Sequence, residues 1–422
     1  MRRFKDFMSS DAGAHARYQS RKKRRVHIYI DDIEPQSKRM PEADRDKFQQ
    51  AIAEQLTLVK RSTFTGGVAL KIELGTTSKN APQAHTIAKN LLDLLGTRRP
   101  SVSWQRQHLL YKDDRQIQAL SVSCRHGEPY PSIRIEARPF TAMLDDLELA
   151  TEARYSIETN IDYLYEQDHE ADWIKTFRDL KDNEAYKRQN LGNDLYNAYL
   201  KMTRWYAQHA LLKSSGATIP VLGSMYGRPQ ATATGLGKEI WAELLGKSKL
   251  RLQVGELPIT SGSSTMFKQK VLNEIKAFKK RWDWLINPLV IAVALEVVIR
   301  PDPTTPPAVL HDLDNIVRDY LLPRIIPEFG TVSDHRWTID FDELQRTNPE
   351  LAASWGANPT PPPGTKAGVT RYEAWRLPAV TNEPGFVSVA LVADVDANGD
   401  LMDQIDESIG IWASSHDRKS RY

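Results

Sequence analysis

His311-Asp312-Leu313-Asp314-Asn315-Ile316-Val317-Arg318 stands between an apolar run, Leu289 to Arg300, and a helical pattern that reaches Tyr320 and Leu322 before Pro323. The apolar run reads as a buried strand, and Pro301 to Pro307 as the connection out of it. Two carboxylates at i and i+2, at a strand-to-helix corner, can turn toward one point in space. That suits a hard divalent cation, which takes oxygen ligands. Asp at a helix start is equally favoured as a cap and as a partner for the helix dipole, so spacing alone leaves both readings open.

Asp312-Leu313-Asp314-Asn315, followed three residues later by the basic Arg318, resembles the signature of the RusA-like Holliday-junction resolvases. The resemblance implies that Asp312 and Asp314 bind catalytic Mg²⁺, with Mn²⁺ as the alternative, and that Arg318 stands where the family has Lys. It also implies a third metal-binding Asp downstream, in a short Asp-Asp segment leading into a strand. No Asp-Asp segment follows Asp314, but one lies far upstream: Lys112-Asp113-Asp114-Arg115-Gln116-Ile117 looks like the missing piece of the same signature.

A repeat gives that displacement a meaning. After a polar arm, residues 1–25, Val26 to Ile30 reads as a strand. Glu34 to Arg39 reads as a turn similar to the family's Pro-x-Ser-Lys segment, which places Lys38 and Arg39 among the DNA contacts. Phe48, Ile52, Leu56 and Val59 recur at helical spacing; Val68 to Leu74 alternates as a strand; His85 to Leu95 is helical; Gln116 to Cys124 and Ser132 to Ala137 are strands around a His126-Gly127-Glu128 hairpin. From residue 250 the same order returns. Leu250 to Val254 is a strand, Phe267 to Trp282 a helix, Leu289 to Ile299 a strand and Asp312 to Leu322 a helix, and Val369 to Trp375 and Phe386 to Val392 are paired strands. Internal duplication is the simplest explanation.

The expected fold is therefore α+β. Two RusA-like copies, 26–140 and 250–422, are separated by a mainly helical insert, 141–249, and the second copy carries an insertion at about 331–366. Within the insert, Leu195, Tyr199, Met202 and Tyr206 mark one long helix, and Gly216 to Gly237 reads as a loop. Trp173, Tyr196 and Trp205 are read as core aromatics, with base stacking as the alternative. Thr360 to Gly364 is a stiff Pro-rich loop or a recognition segment.

Aligned on this repeat, each copy keeps half of the signature. In the first, Gln83 and His85 fall where the paired acids would be, Lys89 matches the basic position, and Asp114 corresponds to the third ligand. In the second, Asp312, Asp314 and Asn315 match and Arg318 replaces Lys, while Lys366-Ala367-Gly368 brings no carboxylate. One reading joins Asp114 to Asp312 and Asp314 in a composite Mg²⁺ site for phosphodiester hydrolysis, with Lys89 or Arg318 balancing charge on the phosphate. A second supplies Asp319, Asp334 or Asp340 as the extra acid. A third has catalysis lost and the fold kept as a DNA-binding or complex-forming protein.

Composition bounds these readings. The chain has 422 residues, 41% hydrophobic and 26% charged, with a formal net charge of +3: globular, and long enough for two or three domains. Cys124 is the only cysteine, which excludes an intrachain disulfide and a cysteine-built zinc site. No apolar run reaches bilayer-spanning length and the N-terminus lacks a secretory signal, so a cytoplasmic, non-membrane protein is expected. Basic residues cluster at Arg21, Lys22, Lys23, Arg24 and Arg25, and again at Lys276, Lys279, Lys280 and Arg281. Such blocks are the electrostatic footprint of a phosphate-backbone binder. Protein partners are expected through the helical insert, and oligomers are compatible with the chain. Asp394 to Asp400 starts like an EF-hand loop but has Ile405 where a bidentate Glu is needed, and an Asn-Gly turn explains the same residues. The histidines show no ligand spacing.

Overall fold

Val26, Ile28 and Ile30 are buried while His27 and Tyr29 face solvent, so β1 (Val26–Ile30) buries one face at the edge of a sheet. β6 (Val293–Arg300) is buried along its whole length, as expected for a strand covered on both sides. The other strands are β2 (Val68–Thr76), β3 (Ile117–His126), β4 (Ser132–Pro139), β5 (Arg251–Gly255), β7 (Val369–Arg376) and β8 (Phe386–Ala393). They form one eight-stranded mixed sheet, in the order β1-β4-β2-β3-β7-β6-β8-β5. The computed structural model describes residues 10–78, 81–158, 162–213, 215–228, 251–257, 261–291, 293–306, 309–329, 346, 349, 369–393 and 400–419.

Helices cover both faces of the sheet. The helices are α1 (Asp11–Lys22), α2 (Glu42–Leu58), α3 (Ala84–Gly96), α4 (Phe140–Glu158), α5 (Asp162–Asp182), α6 (Glu184–Leu191), α7 (Asn193–Lys213), α8 (Ile219–Met225) and α9 (Ser261–Ile286). A composite α10 follows: a turn at Leu313–Asn315, a π-helical stretch Ile316–Leu321 and an α-helix Leu322–Phe329; α11 (Leu401–Lys419) ends the order. One core packs α2, α3, α9 and α10 on the sheet, with Phe48, Leu91, Ile275 and Ile316 fully buried. The opposite core packs α1, α4, α8 and α11 around Trp375, Met143, Leu222 and Ile405.

The two halves of the sheet have the same pairing. β2 runs parallel to β3 and antiparallel to β4, and β6 runs parallel to β7 and antiparallel to β8. The register shifts between Val68 and Ala69 in one half and between Val293 and Ala294 in the other, which places Ile117 and Val369 at equivalent positions. The halves join where β3 and β7 pair antiparallel, with Ala119 opposite Trp375, Ser121 opposite Glu373 and Ser123 opposite Arg371. Exchanging the halves turns the first of these pairs into the third and leaves Ser121–Glu373 on the axis. The pairing is that of a two-fold.

Several expectations change. Residues 1–25 were expected as a polar arm, but residues 11–22 are helix α1, with Ser10 accepting the Gly13 N–H at 3.2 Å and Tyr18 buried against the second core. The stretch Gly216 to Gly237, expected as a loop, contains α8, capped by Thr218; its end lies outside the described residues. The helix expected to stop at Pro323 runs on to Phe329. A wider π turn precedes Pro323, whose ring cannot follow a regular α turn. The insert is tied into the layers: buried Gln208 of α7 donates to Leu285 O (2.8 Å) and Pro288 O (2.9 Å) and accepts the Val290 N–H (2.9 Å). Asp334, Asp340, nearly all of 331–366, and Asp394 to Gly399 lie outside the described residues. Among the described residues no helix is long and apolar enough to cross a membrane.

Candidate metal centre

Asp114 opens a single 3-10 turn, Asp114–Gln116, immediately before β3. The turn is held from both sides. Asp113 accepts the Arg115 N–H at 2.9 Å, and Gln116 Oε1 accepts the Lys112 N–H at 2.7 Å. Gln116 Nε2 donates to Phe64 O at 3.1 Å and Gly66 O at 2.9 Å. Asp113 is thus used in the turn itself, and Asp114 is the acid left for the centre.

Asp312 is the N-cap residue of α10, yet its side chain caps no helix N–H; it accepts Asn315 Nδ2 at 2.8 Å. The capping explanation of this acid is not realised. Asp314, two residues on in the first turn, is 2% exposed, and neither of its oxygens has a hydrogen-bond partner among the described residues. An orphaned buried carboxylate costs several kcal/mol unless another charge meets it, on the order of the penalties known for unpaired buried ions.

The parallel β6–β7 and antiparallel β3–β7 pairings bring the start of β3 beside the ends of β6 and β7. Asp114 there meets Asp312 and Asp314, and one oxygen of each lies within 4.8 Å of the others. Lys89 of α3 reaches in from the first half, its Nζ 3.2 Å from Asp114 Oδ2, 3.2 Å from Asp314 Oδ2 and 3.0 Å from Asp93 Oδ1. The contact to Asp314 is ionic, without hydrogen-bond alignment. Burial raises the pKa of all three acids, and the other carboxylates add to this while Lys89 opposes it, helped by Arg115 at Asp312 and Arg318 at Asp314. Burial also disfavours the Lys89 ammonium, but Asp314, Asp114 and Asp93 outweigh it and hold Lys89 charged. In ion-pair contact the carboxylates meet one ammonium, and Arg115 and Arg318, each already paired with its own acid, oppose the rise only from farther off; the balance stays a surplus of negative charge. An all-oxygen donor set with that surplus can hold a metal ion, and a hard divalent cation fits it best.

A residue the sequence reading missed ties the two strands of chain together. Arg376, buried at the end of β7, donates through Nη2 to His311 O and through Nη1 to Arg115 O at 3.3 Å. It holds the main chain next to Asp312 and next to Asp114 at once. Its only signal in the sequence is an arginine closing a strand, which is too common to read. Tyr111 lies beneath the centre, fully buried, its hydroxyl donating to Leu92 O at 2.7 Å.

The other expected site residues are dispersed. Arg318 makes a two-pronged pair with Asp319, at 2.7 and 2.8 Å, and acts on His85, which burial and Arg318 together push down to about 4. Lys38 is exposed, 4.0 Å from Asp93, and Arg39 is exposed beside it. Lys22, Lys23, Arg24 and Lys280 are exposed and Lys279 is half-buried. Arg25, expected to contact DNA, instead turns inward: it pairs with Glu136 at 3.1 Å, Asp146 at 3.1 Å and Asp406, and is buried. Arg21 turns the same way, to Asp146 at 2.7 Å. With Tyr18 buried in this core, positions 18, 21 and 25 fall on the inward stripe of α1 and its end, which directs both arginines to protein acids. Comparisons with family models, curated proteins and solved structures return no match for this chain.

Proposed function

We propose that this chain is a divalent-metal-dependent endonuclease acting on branched DNA, built from two fused RusA-like halves. The observation that carries the reading is the meeting of Asp114 with Asp312 and Asp314, acids from opposite halves, where the buried Asp314 carboxylate has an ionic contact to Lys89 but no aligned hydrogen-bond donor among the described residues. Mg²⁺ or Mn²⁺ held by these three acids would supply the positive charge that lets a phosphodiester accept an attacking water. Asn315 orients Asp312, and Arg376 keeps the two carboxylate-bearing segments in register. Lys89, held charged by its acid neighbours, is placed to offset negative charge growing on the phosphate. The exposed Lys22, Lys23, Arg24, Lys38, Arg39 and Lys280 provide a phosphate-attracting surface.

One observation favours a different reading, a DNA-binding or assembly protein that keeps the fold without catalysis. Lys89 already contacts Asp114 and Asp314 at 3.2 Å and stabilises part of their charge without a metal. Purified chain incubated with a four-way junction and Mg²⁺ or Mn²⁺ separates the two. Endonuclease activity predicts metal-dependent nicks that Asp314→Asn removes while junction binding persists. Junction binding with no nicking in either metal would leave the binding-protein reading standing.

A further inference from the structure

The two-fold pairing of the sheet predicts a second centre related to the first, and the described residues show how that position has changed. Gln83 is the N-cap of α3 as Asp312 is the N-cap of α10, with closely matching backbone angles: φ −59°, ψ 149° against φ −65°, ψ 144°. Neither side chain caps its helix. Counting from these caps, His85 takes the place of Asp314, and Arg318 that of Lys89. The structure follows the same exchange. Lys89 lies 3.2 Å from Asp314 at one centre; at the other, the charge of Arg318 bears on His85, though it also reaches Asp314. The chain leading into β7 cannot supply the counterpart of Asp114, because residues 351–372 contain neither Asp nor Glu. Where one position has three acids and a lysine, its relative has an amide, a neutral imidazole and a guanidinium already paired with Asp319. That set offers no carboxylate cage for a hard cation.

Resting on the endonuclease reading above, we propose that the chain is a single-strand nickase of branched DNA: the Asp114–Asp312–Asp314 centre cuts one strand, and the Gln83–His85–Arg318 position receives the opposing strand without cutting it. Each event consumes one water. Its oxygen bonds to phosphorus, the P–O3′ bond breaks, one proton goes to the leaving 3′ oxygen and the other to solvent, giving a 5′-phosphate and a 3′-hydroxyl. A two-fold pair of working centres would resolve a junction into two nicked duplexes within one bound complex. One working centre leaves a nicked junction, whose completion requires a second binding event.

The test uses the full-length chain on a supercoiled plasmid carrying an extruded inverted repeat, with Mg²⁺ or Mn²⁺. A first nick releases the supercoiling that maintains the cruciform, so paired cuts in one complex give linear DNA and a lone cut gives open circles. The expected product is open circles, with linear DNA below about a tenth of the product at any protein concentration. A second arm uses synthetic junctions 5′-labelled on each strand in turn and the Asp314→Asn variant, which changes the residue little in size. All nicking should disappear on all four strands, at least 100-fold. Linear plasmid as a main product, or residual nicking of one strand in Asp314→Asn, would mean the second position also cuts; the single-centre inference then fails while the nuclease reading stands. Absence of any nick from the unaltered chain defeats both.

Discussion

Two acid clusters on opposite faces of the same sheet contrast in how their charges are met. On the α1–α4–α11 face, Asp146, Asp406 and Glu136 face Arg21, Arg25 and Arg138, three of each sign, with contacts such as Arg138 to Asp146 at 2.8 Å and Arg21 to Asp146 at 2.7 Å. On the α3–α10 face, Lys89 is the one cation in ion-pair contact, meeting Asp114, Asp314 and Asp93 among the described residues, while Arg115 acts on Asp312 and Arg318 on Asp314 only from farther off. The consequence appears in the acids themselves. Burial works to raise Asp406, but hydrogen bonding from Arg25 and the charges of Arg138 and Arg25 override it and its pKa falls. The same burial leaves Asp114, Asp312 and Asp314 raised. A balanced cluster is cement for the fold; an under-compensated one is poised for a charge from outside.

The largest expected effect falls on the under-compensated side. Asp314→Asn should lower metal-dependent nicking by a factor on the order of 10³ or more. It should leave the midpoint of thermal unfolding in EDTA unchanged or higher, because a buried charge is removed while Lys89 keeps Asp114 and Asp93 as partners. A large loss of stability in EDTA would show that Asp314 belongs with the cementing acids. The converse substitution, Arg25→Met, should cost about 3 kcal/mol in urea unfolding, the low end for a broken buried pair, since Asp406 loses its main partner while Asp146 keeps Arg21 and Arg138. Nicking per folded molecule should stay the same.

Metal addition sharpens the contrast further. Saturating Mn²⁺, at about 100 times its dissociation constant, should stabilise the unaltered chain by about 2.7 kcal/mol in a thermal-shift series. Asp314→Asn should lose this gain and Arg25→Met should keep it. An equal gain in all three proteins would point to binding elsewhere.

The smallest effect concerns the altered partner position. His85 has a pKa near 4 against an ordinary 6.5, because burial and Arg318 disfavour its cation, with Asp319 only partly opposing them. The unfolded chain takes up the proton first as pH falls. The His85 contribution is therefore complete above pH 6.5 and lost between there and pH 4. His85→Gln should flatten the stability profile in that window; an unchanged slope would place the sensitivity on another group.

Much of the molecule was legible one segment at a time. The alternation of β1, the continuous apolar run of β6 and the helical spacing of α2 and α3 each report how a strand or helix buries a face. The half-signatures, Asp113-Asp114 and Asp312-Leu313-Asp314-Asn315, were readable because each is local. Within the basic block, Arg21 and Arg25 turn inward while Lys22, Lys23 and Arg24 stay exposed, a split hidden because five similar charges look uniform along the chain. The helical spacing of Tyr18, Arg21 and Arg25 was the available clue that some point inward. Arg376 was invisible because its importance lies in two carbonyls, His311 O and Arg115 O, that the sequence does not mark.

Taken alone, the sequence determined the kind of each element and which residues carry acid, because periodicity and cap chemistry act over a few neighbouring positions. The tertiary structure decided which acids meet and which remain apart. That choice rests on the β3–β7 register, centred on Ser121 and Glu373, which sets the start of one strand beside the end of the other. Side chains alternate along a strand, so a slip of one residue there would turn Trp375 and its neighbours to the opposite face and carry Arg115 away from Arg376. Such a pairing lies between halves of the chain, where no local rule reaches.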